Sequence, residues 1–186
     1  MKETHVWFLD VVHPALEEAL RGAGMMCHDG TALSRDEWLN VATSRDNVPI
    51  HGIVLRSRLS IDAEMLDAMP ALKWIARSGS GLENIDLVEA QKRGVAVFNS
   101  PEGNRNAVAE HAVGMLLNVL HKIRSGDNSV RSKKWERERH RGSELNALTV
   151  GILGYGQMGT AVAECLGGFG CRVVAYDKYR EGWGES

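Results

Sequence analysis

The sequence predicts an α/β fold in two parts, a parallel sheet covered by helices and then the opening of a second parallel sheet. Three observations carry the prediction. Short apolar runs alternate with helical patterns across residues 1–100, which argues for a parallel sheet with helices on both faces. The segment Asn99-Ser100-Pro101-Glu102-Gly103 closes that pattern with proline and glycine, and marks a boundary between residues 1–100 and 101–186. Thr149 to Leu153 reads as a buried strand that enters a G-x-G-x-x-G turn and a helix.

Each element has its own signal. Val6-Trp7-Phe8-Leu9 is the first strand. Pro14 suits a first helical turn and opens a helix carrying Leu16 and Leu20, which ends near Gly22 and Gly24. Ser34-Arg35-Asp36-Glu37 has the form of a capping box before a short helix with Trp38 and Leu39. Gly52 to Leu55 is the next strand, Asp62 to Met69 a helix closed by Pro70, and Leu72 to Ala76 a third strand. Asp86 to Lys92 is a helix and Val95 to Phe98 a fourth strand. Beyond the boundary, Ala107 to Ile123 reads as one long helix whose apolar positions cover more than half its circumference. It is therefore buried on several sides, in a core or against another subunit. Arg131 to Arg141 holds six basic and two acidic residues around Trp135. The glutamates interrupt that run, which favours a solvated connection over a nucleic-acid patch.

Composition narrows the class. A chain of 186 residues can bury one large or two small cores. Hydrophobic content of 44% and charged content of 25% are ordinary for a soluble globular protein. A net charge of −2 gives no reason to expect nucleic acid or an anionic membrane as partner. Cys27, Cys165 and Cys171 are odd in number and lack a C-x-x-C spacing, so buried free thiols are expected and neither a disulfide framework nor a zinc site. The polar N-terminus and the lack of a membrane-length apolar run point to the cytoplasm. The histidines have no metal-site spacing, so no metal is expected. His111 follows Glu110 within the long helix and faces another way, so the pair reads as structural, with Glu110 tying down nearby backbone.

The glycine turn carries specific chemistry. Gly154 permits the tight turn, Gly156 lets the backbone approach a pyrophosphate, and Gly159 lets helix and strand pack closely. The helix N-terminus offers amides and a positive dipole end to the phosphates. Asp177 ends the next apolar run, where it can accept hydrogen bonds from an adenosine ribose and repel a 2′-phosphate, so NAD is the expected cofactor. A plain strand–helix turn would need neither the second strand nor the acid.

Ligands of open parallel sheets gather at the carboxyl ends of the strands. One loop there, Arg56-Ser57-Arg58, sets two cations beside a hydroxyl. The next, Arg77-Ser78-Gly79-Ser80-Gly81, has glycines that free backbone amides to face an anion, with an arginine able to grip a carboxylate or phosphate. Either alone fits a surface turn; together, after adjacent strands, they favour a site for an acidic small molecule.

The run Leu72 to Asp86, then Arg93-Gly94-Val95-Ala96-Val97-Phe98-Asn99-Ser100-Pro101, then Val108-Ala109-Glu110, with Gly154 to Gly159 and Asp177, resembles the NAD-dependent D-2-hydroxyacid dehydrogenases. Arg56-Ser57-Arg58 and Asn99 to Asn104 look most like their 3-phosphoglycerate dehydrogenase branch, whose reaction serves serine biosynthesis. The resemblance implies a flavodoxin-like substrate domain over 1–100, followed by an incomplete Rossmann NAD-binding domain over 101–186. It implies that Arg56, Ser57 and Arg58 face the substrate's phosphate end. Arg77, Ser78 and Gly79 would then hold the carboxylate, with Ser80 also near the cofactor. Asn104 and Val108 would lie on the nicotinamide side, Gln157 and Met158 at the pyrophosphate, and Asp177 at the adenosine ribose. It also implies that the long helix and the segment around Trp135 build a homodimer.

The family's catalytic arginine, glutamate and histidine come from a later part of the nucleotide domain, so no catalytic residue is expected within residues 1–186. Without that histidine the proton accompanying hydride transfer has no partner, and without the arginine nothing polarises the keto group. The 186-residue chain alone is therefore expected to be inactive. Its first nucleotide strand is also expected to expose a sheet edge. A second reading, from a different class, is a non-catalytic short form that binds ligand or pairs with a full-length dehydrogenase.

Overall fold

The computed structural model describes residues 3–44 and 48–180. The chain divides into two compact units, Met1–Pro101 and Glu102–Ser186.

In the first unit the elements run β1 (Thr4–Phe8), α1 (Pro14–Gly22), β2 (Met25–Asp29), α2 (Arg35–Thr43), β3 (Gly52–Leu55), α3 (Ala63–Asp67), β4 (Trp74–Arg77), α4 (Leu87–Lys92) and β5 (Ala96–Asn99). All five strands are parallel in the order β2-β1-β3-β4-β5, the flavodoxin-like arrangement. β3 lies at the centre and all four of its residues are buried, as a strand covered on both faces requires. Gly52 has no room for a side chain, because an added Cβ would stand 2.3 Å from the Trp74 ring. Leu9, Trp38, Ile53, Leu55, Met65, Leu66 and Ile75 build the larger of the core clusters, and each aliphatic side chain fully buried there contributes about 2 kcal/mol.

Helix starts follow their capping residues. Ser34 and Glu37 form the reciprocal box, with the Ser34 amide donating to Glu37 Oε2 at 2.8 Å and the Glu37 amide to Ser34 Oγ at 3.4 Å. Asp62 and Asp86 cap α3 and α4. β2 is an element that sequence pattern does not reveal: Met25-Met26-Cys27-His28-Asp29 has no clean alternation, and as an edge strand it has no fully buried residue. β4 begins at Trp74 rather than Leu72, which instead closes the α3 turn with its amide on Met69 O.

The second unit contains α5 (Arg105–Leu120), α6 (Ile123–Arg131), β6 (Thr149–Leu153), α7 (Gln157–Leu166) and β7 (Arg172–Tyr176). β6 and β7 pair in parallel across α7, a Rossmann-type βαβ unit. Val113 of α5, Leu145 and Leu166 of α7 form its core with Val150 and Val173 beneath. The opposite face of the strand pair is open, and Leu153 is 89% exposed. The expected helix over 107–123 does not run through. It stops at Leu120, Lys122 turns into the left-handed region at φ 53°, and α6 begins anew with its Arg124 amide on Asn118 Oδ1 at 3.0 Å. A second strand of chain explains the stop: Ser143 donates to Leu120 O at 3.1 Å, and Gly142 passes so close that a Cβ there would sit 2.6 Å from that oxygen. The cysteines are free and half-buried rather than fully buried. Among the described residues no helix is long and apolar enough to cross a membrane.

Candidate functional site

The carboxyl ends of β3 and β4 lie side by side, with Leu55 in register with Arg77, so the two loops read as anion-binding start from one sheet end. They are joined by hydrogen bonds. The Ser78 amide donates to Leu55 O at 2.8 Å, Arg77 Nε to Arg56 O at 3.3 Å, and Asn84 Nδ2 to Arg56 O at 3.0 Å and Leu59 O at 2.8 Å.

The arginines of this end differ in what occupies them. Arg58 turns inward: Nη1 donates to Leu33 O at 2.6 Å, Nη2 to the carbonyls of Leu9 and Gly30, and Nε stands 3.4 Å from Asp10 Oδ1. Arg77 is only 9% exposed at its side chain and pairs with Glu83 at 3.0 Å. The pair lies over the glycines of its own loop, since a Cβ on Gly79 would meet Arg77 Nη1 at 2.7 Å and one on Gly81 would meet Glu83 Oε2 at 2.0 Å. Arg56 and Ser57 are exposed, and the Arg56 guanidinium pairs with no described residue.

The Arg77–Gly81 loop has its own division. The amides of Ser78 and Gly79 are engaged with Leu55 O and Arg77 O, and Gly79 O accepts from the Ser100 amide at 2.9 Å. Ser80 O accepts from Asn99 Nδ2 at 2.7 Å. The amides of Ser80 and Gly81 donate to no described residue and are the ones open to an anion. Sequence pattern does not single out Asp10, Glu83 or Asn84. A carboxylate two residues past a strand end, at the same sheet end as two arginines, is the available signal for Asp10.

In the second unit the glycine turn has the geometry its spacing implies. Gly154 sits at φ 89° and donates to Tyr176 O at 2.8 Å. Gly159 is buried and admits no side chain, because a Cβ would stand 2.1 Å from Gly154 O. Gly156 faces open space, with nothing within 4 Å of an added Cβ. α7 then starts at Gln157 and Met158 without a side-chain cap on its first amides. This combination fits a pyrophosphate, which needs a close approach at the second glycine and unsatisfied donors behind it. Asp177 closes the arrangement: Oδ2 accepts from the Tyr155 amide at 2.7 Å and Oδ1 from the Tyr179 amide at 2.8 Å. Those bonds, the Tyr179 one foremost, hold its pKa below the usual carboxylate value, so it is an anion at neutral pH. Asn104 stands at the N-cap of α5 without a side-chain capping bond, and Val108 follows one turn later, its amide on Asn104 O at 3.0 Å. Glu110 and His111 are exposed on α5, and the expected tie from Glu110 to nearby backbone does not form among the described residues.

The sequence pattern described as D-isomer specific 2-hydroxyacid dehydrogenase, catalytic domain, matches residues 6–178. The chain belongs to this family. D-3-phosphoglycerate dehydrogenase of Archaeoglobus fulgidus is 38% identical over 172 residues, covering 91% of this chain and 32% of its own. The enzyme of that name from Mycobacterium tuberculosis is 43% identical over 127 residues, 68% of this chain and 24% of its own. A protein of Thermus thermophilus superposes with a TM-score of 0.81 at 29% identity, over 97% of this chain and 58% of its own. The NADPH-dependent glyoxylate/hydroxypyruvate reductase of Sinorhizobium meliloti, solved with NADP and malonate, gives 0.74 at 26% identity over 98% and 56%. The chain thus spans about a third of the length of the curated Archaeoglobus relative.

Proposed function

We propose that this protein takes part in hydride transfer between NAD(H) and a D-2-hydroxy acid, with 3-phosphoglycerate as the substrate. The first unit is the substrate domain and the second the cofactor domain. The observation that carries the reading is the turn at Gly154–Gly159, open at Gly156 and uncapped at α7, with the Asp177 carboxylate bonded to its Tyr155 amide. Bound NAD supplies the hydride acceptor; the chain's part is to bind and orient. Gln157 and Met158 amides receive the pyrophosphate and Asp177 the adenosine ribose, while Asn104 and Val108 line the nicotinamide side.

NAD is favoured over NADP because a 2′-phosphate would meet the Asp177 anion, although the Sinorhizobium relative carries NADP. The Ser80 and Gly81 amides receive the substrate carboxylate with the Ser78 hydroxyl and Arg77, Gly79 giving the loop its turn, and Arg56 with Ser57 receives its phosphate. The names of the curated relatives support the phosphate ester over simple hydroxy acids. The exposed apolar residues Met115, Val119 and Ile123, with Val130 and Trp135, support a homodimer, and the proposed setting of the reaction is the cytoplasm.

Fluorescence titration of the purified chain tests the cofactor half: NADH should saturate and NADPH should bind about tenfold more weakly, a difference of about 1.4 kcal/mol. Equal affinities would overturn the role given to Asp177. Calorimetry with 3-phosphoglycerate tests the other half. Arg77→Ala should lose measurable binding, and an unchanged isotherm would remove this loop from the site.

A further inference from the structure

Among the described residues, Asp10 is the carboxylate that bonds the anion loop after β3. It stands just beyond the end of β1, 12% exposed at its side chain. Its Oδ2 accepts from the Arg56 amide at 2.7 Å and, at the long limit, from the Arg58 amide at 3.5 Å, while Oδ1 faces Arg58 Nε at 3.4 Å. On the opposite side the loop is held by Asn84, which donates to Arg56 O and Leu59 O. Both backbone polar groups of Arg56 are therefore fixed, the amide by Asp10 and the carbonyl by Asn84 and Arg77. The same carboxylate faces Arg58, whose remaining donors go to the carbonyls of Leu9, Leu33 and Gly30.

We propose that Asp10 is a positioning residue of the substrate site: it anchors the Arg56 backbone and retains Arg58 in the protein, so that Arg56 alone in this loop presents its guanidinium to the substrate's phosphate. The inference rests on reading this loop as the phosphate end of the site. It makes a carboxylate favourable beside an anion-binding loop, which runs against simple charge counting. Bare electrostatics says that removing a negative charge near a bound phosphate tightens binding. Positioning says that removing the anchor loosens it, because a guanidinium displaced by about 1 Å loses its aligned contacts. The two accounts differ in sign.

The test is calorimetric binding of 3-phosphoglycerate and of D-glycerate to the chain carrying Asp10→Ala, Asp10→Asn, Arg56→Ala and the Asp10→Ala/Arg56→Ala double substitution. Asp10→Ala should weaken 3-phosphoglycerate by roughly tenfold and leave D-glycerate unchanged, a split that general destabilisation does not produce. Asp10→Asn keeps an acceptor for the Arg56 amide and should bind at least as tightly as the parent. The double substitution should bind no worse than Arg56→Ala, since the anchor acts only through that side chain. Equal or tighter binding by Asp10→Ala, with Arg56→Ala impaired, overturns the role of Asp10 and leaves the site standing. Unimpaired binding by Arg56→Ala overturns the reading of the loop itself. Hydrogen exchange on the unaltered chain keeps the proposal testable should Asp10→Ala fail to fold. The Arg56 amide should exchange as slowly as those of β3, and exchange at the rate of an open loop would overturn the anchor.

Discussion

The anion loops of the first unit and the glycine turn of the second are both built at the carboxyl ends of parallel strands, yet they prepare for a ligand in opposite ways. At β3 and β4 the charged groups are mostly matched within the chain: Arg58 with Asp10 and three carbonyls, Arg77 with Glu83 and Arg56 O. At α7 the first amides have no side-chain cap, and nothing lies within 4 Å of a Cβ added at Gly156. A prepaired site holds its geometry through side-chain hydrogen bonds, so altering it changes stability and binding together. The open turn is held by its backbone and by one side-chain acceptor, Asp177 on the Tyr155 amide, so binding and stability can be separated at its glycines.

The largest expected effects come from the glycines that express this difference within one motif. Gly159→Ala places a Cβ 2.1 Å from the Gly154 carbonyl, a backbone atom that cannot swing aside. It should destabilise the second unit by about 3 kcal/mol, read as a shift in urea midpoint. A Cβ on Gly156 meets nothing within 4 Å, so Gly156→Val should leave that midpoint in place. It fills the space a pyrophosphate needs, and NADH affinity should fall by roughly a hundredfold, about 2.7 kcal/mol. Loss of stability in both variants would mean that the turn is as closely packed as the first unit's loops, and the contrast would collapse.

Arginines sharpen the comparison at the other end. Arg58→Ala removes donors to Leu33 O and Leu9 O and leaves Asp10 without its cation, so it should cost about 2 kcal/mol of stability. Arg56→Ala should change stability by less than about 0.5 kcal/mol, because its exposed guanidinium pairs with no described residue. Its loss should appear in 3-phosphoglycerate affinity instead. Chemical denaturation and calorimetry on the same pair of variants would separate the roles. A stable Arg58→Ala that fails to bind would put both arginines on the substrate.

How much of this is legible in sequence follows from the range of the interactions. The Gly154–Gly159 turn, the Ser34–Glu37 box and the buried run of β3 are set by neighbours in the chain, and each is readable there. The occupancy of Arg58 is not, since its partners Leu9, Gly30 and Leu33 come from the end of β1 and the loop after β2, and β2 itself gives no pattern. Asp10 is 46 residues from Arg56 in sequence and reaches it only because β1 and β3 are neighbours in the sheet. The end of α5 is hidden for the same reason, being set by Gly142 and Ser143 rather than by its own apolar pattern.

The smallest effects are on pH dependence, and they separate the two units along the pH axis. In the second unit, backbone hydrogen bonds hold Asp177 below the usual carboxylate value. The unfolded chain then binds its proton first, so the contribution is complete above about pH 4 and is lost as pH falls through the lower folded value. In the first unit His28 has its pKa lowered by burial and by the neighbouring His5, whose Nδ1 lies 3.0 Å from His28 Nε2, with Arg21 adding to the effect. Trp7 stacks on the same ring at 4.9 Å. Here too the unfolded state protonates first, but around pH 6.5, so stability declines as pH drops from there toward the folded value. Thermal unfolding followed across pH should therefore show a shallow fall below about pH 6.5 that His28→Gln flattens, and a separate fall below about pH 4 that Asp177→Asn flattens. A His28→Gln chain that keeps the upper slope would move its origin to another group. An Asp177→Asn chain with an unchanged acid limb would mean that the Tyr155 and Tyr179 amides do not hold the carboxylate in solution.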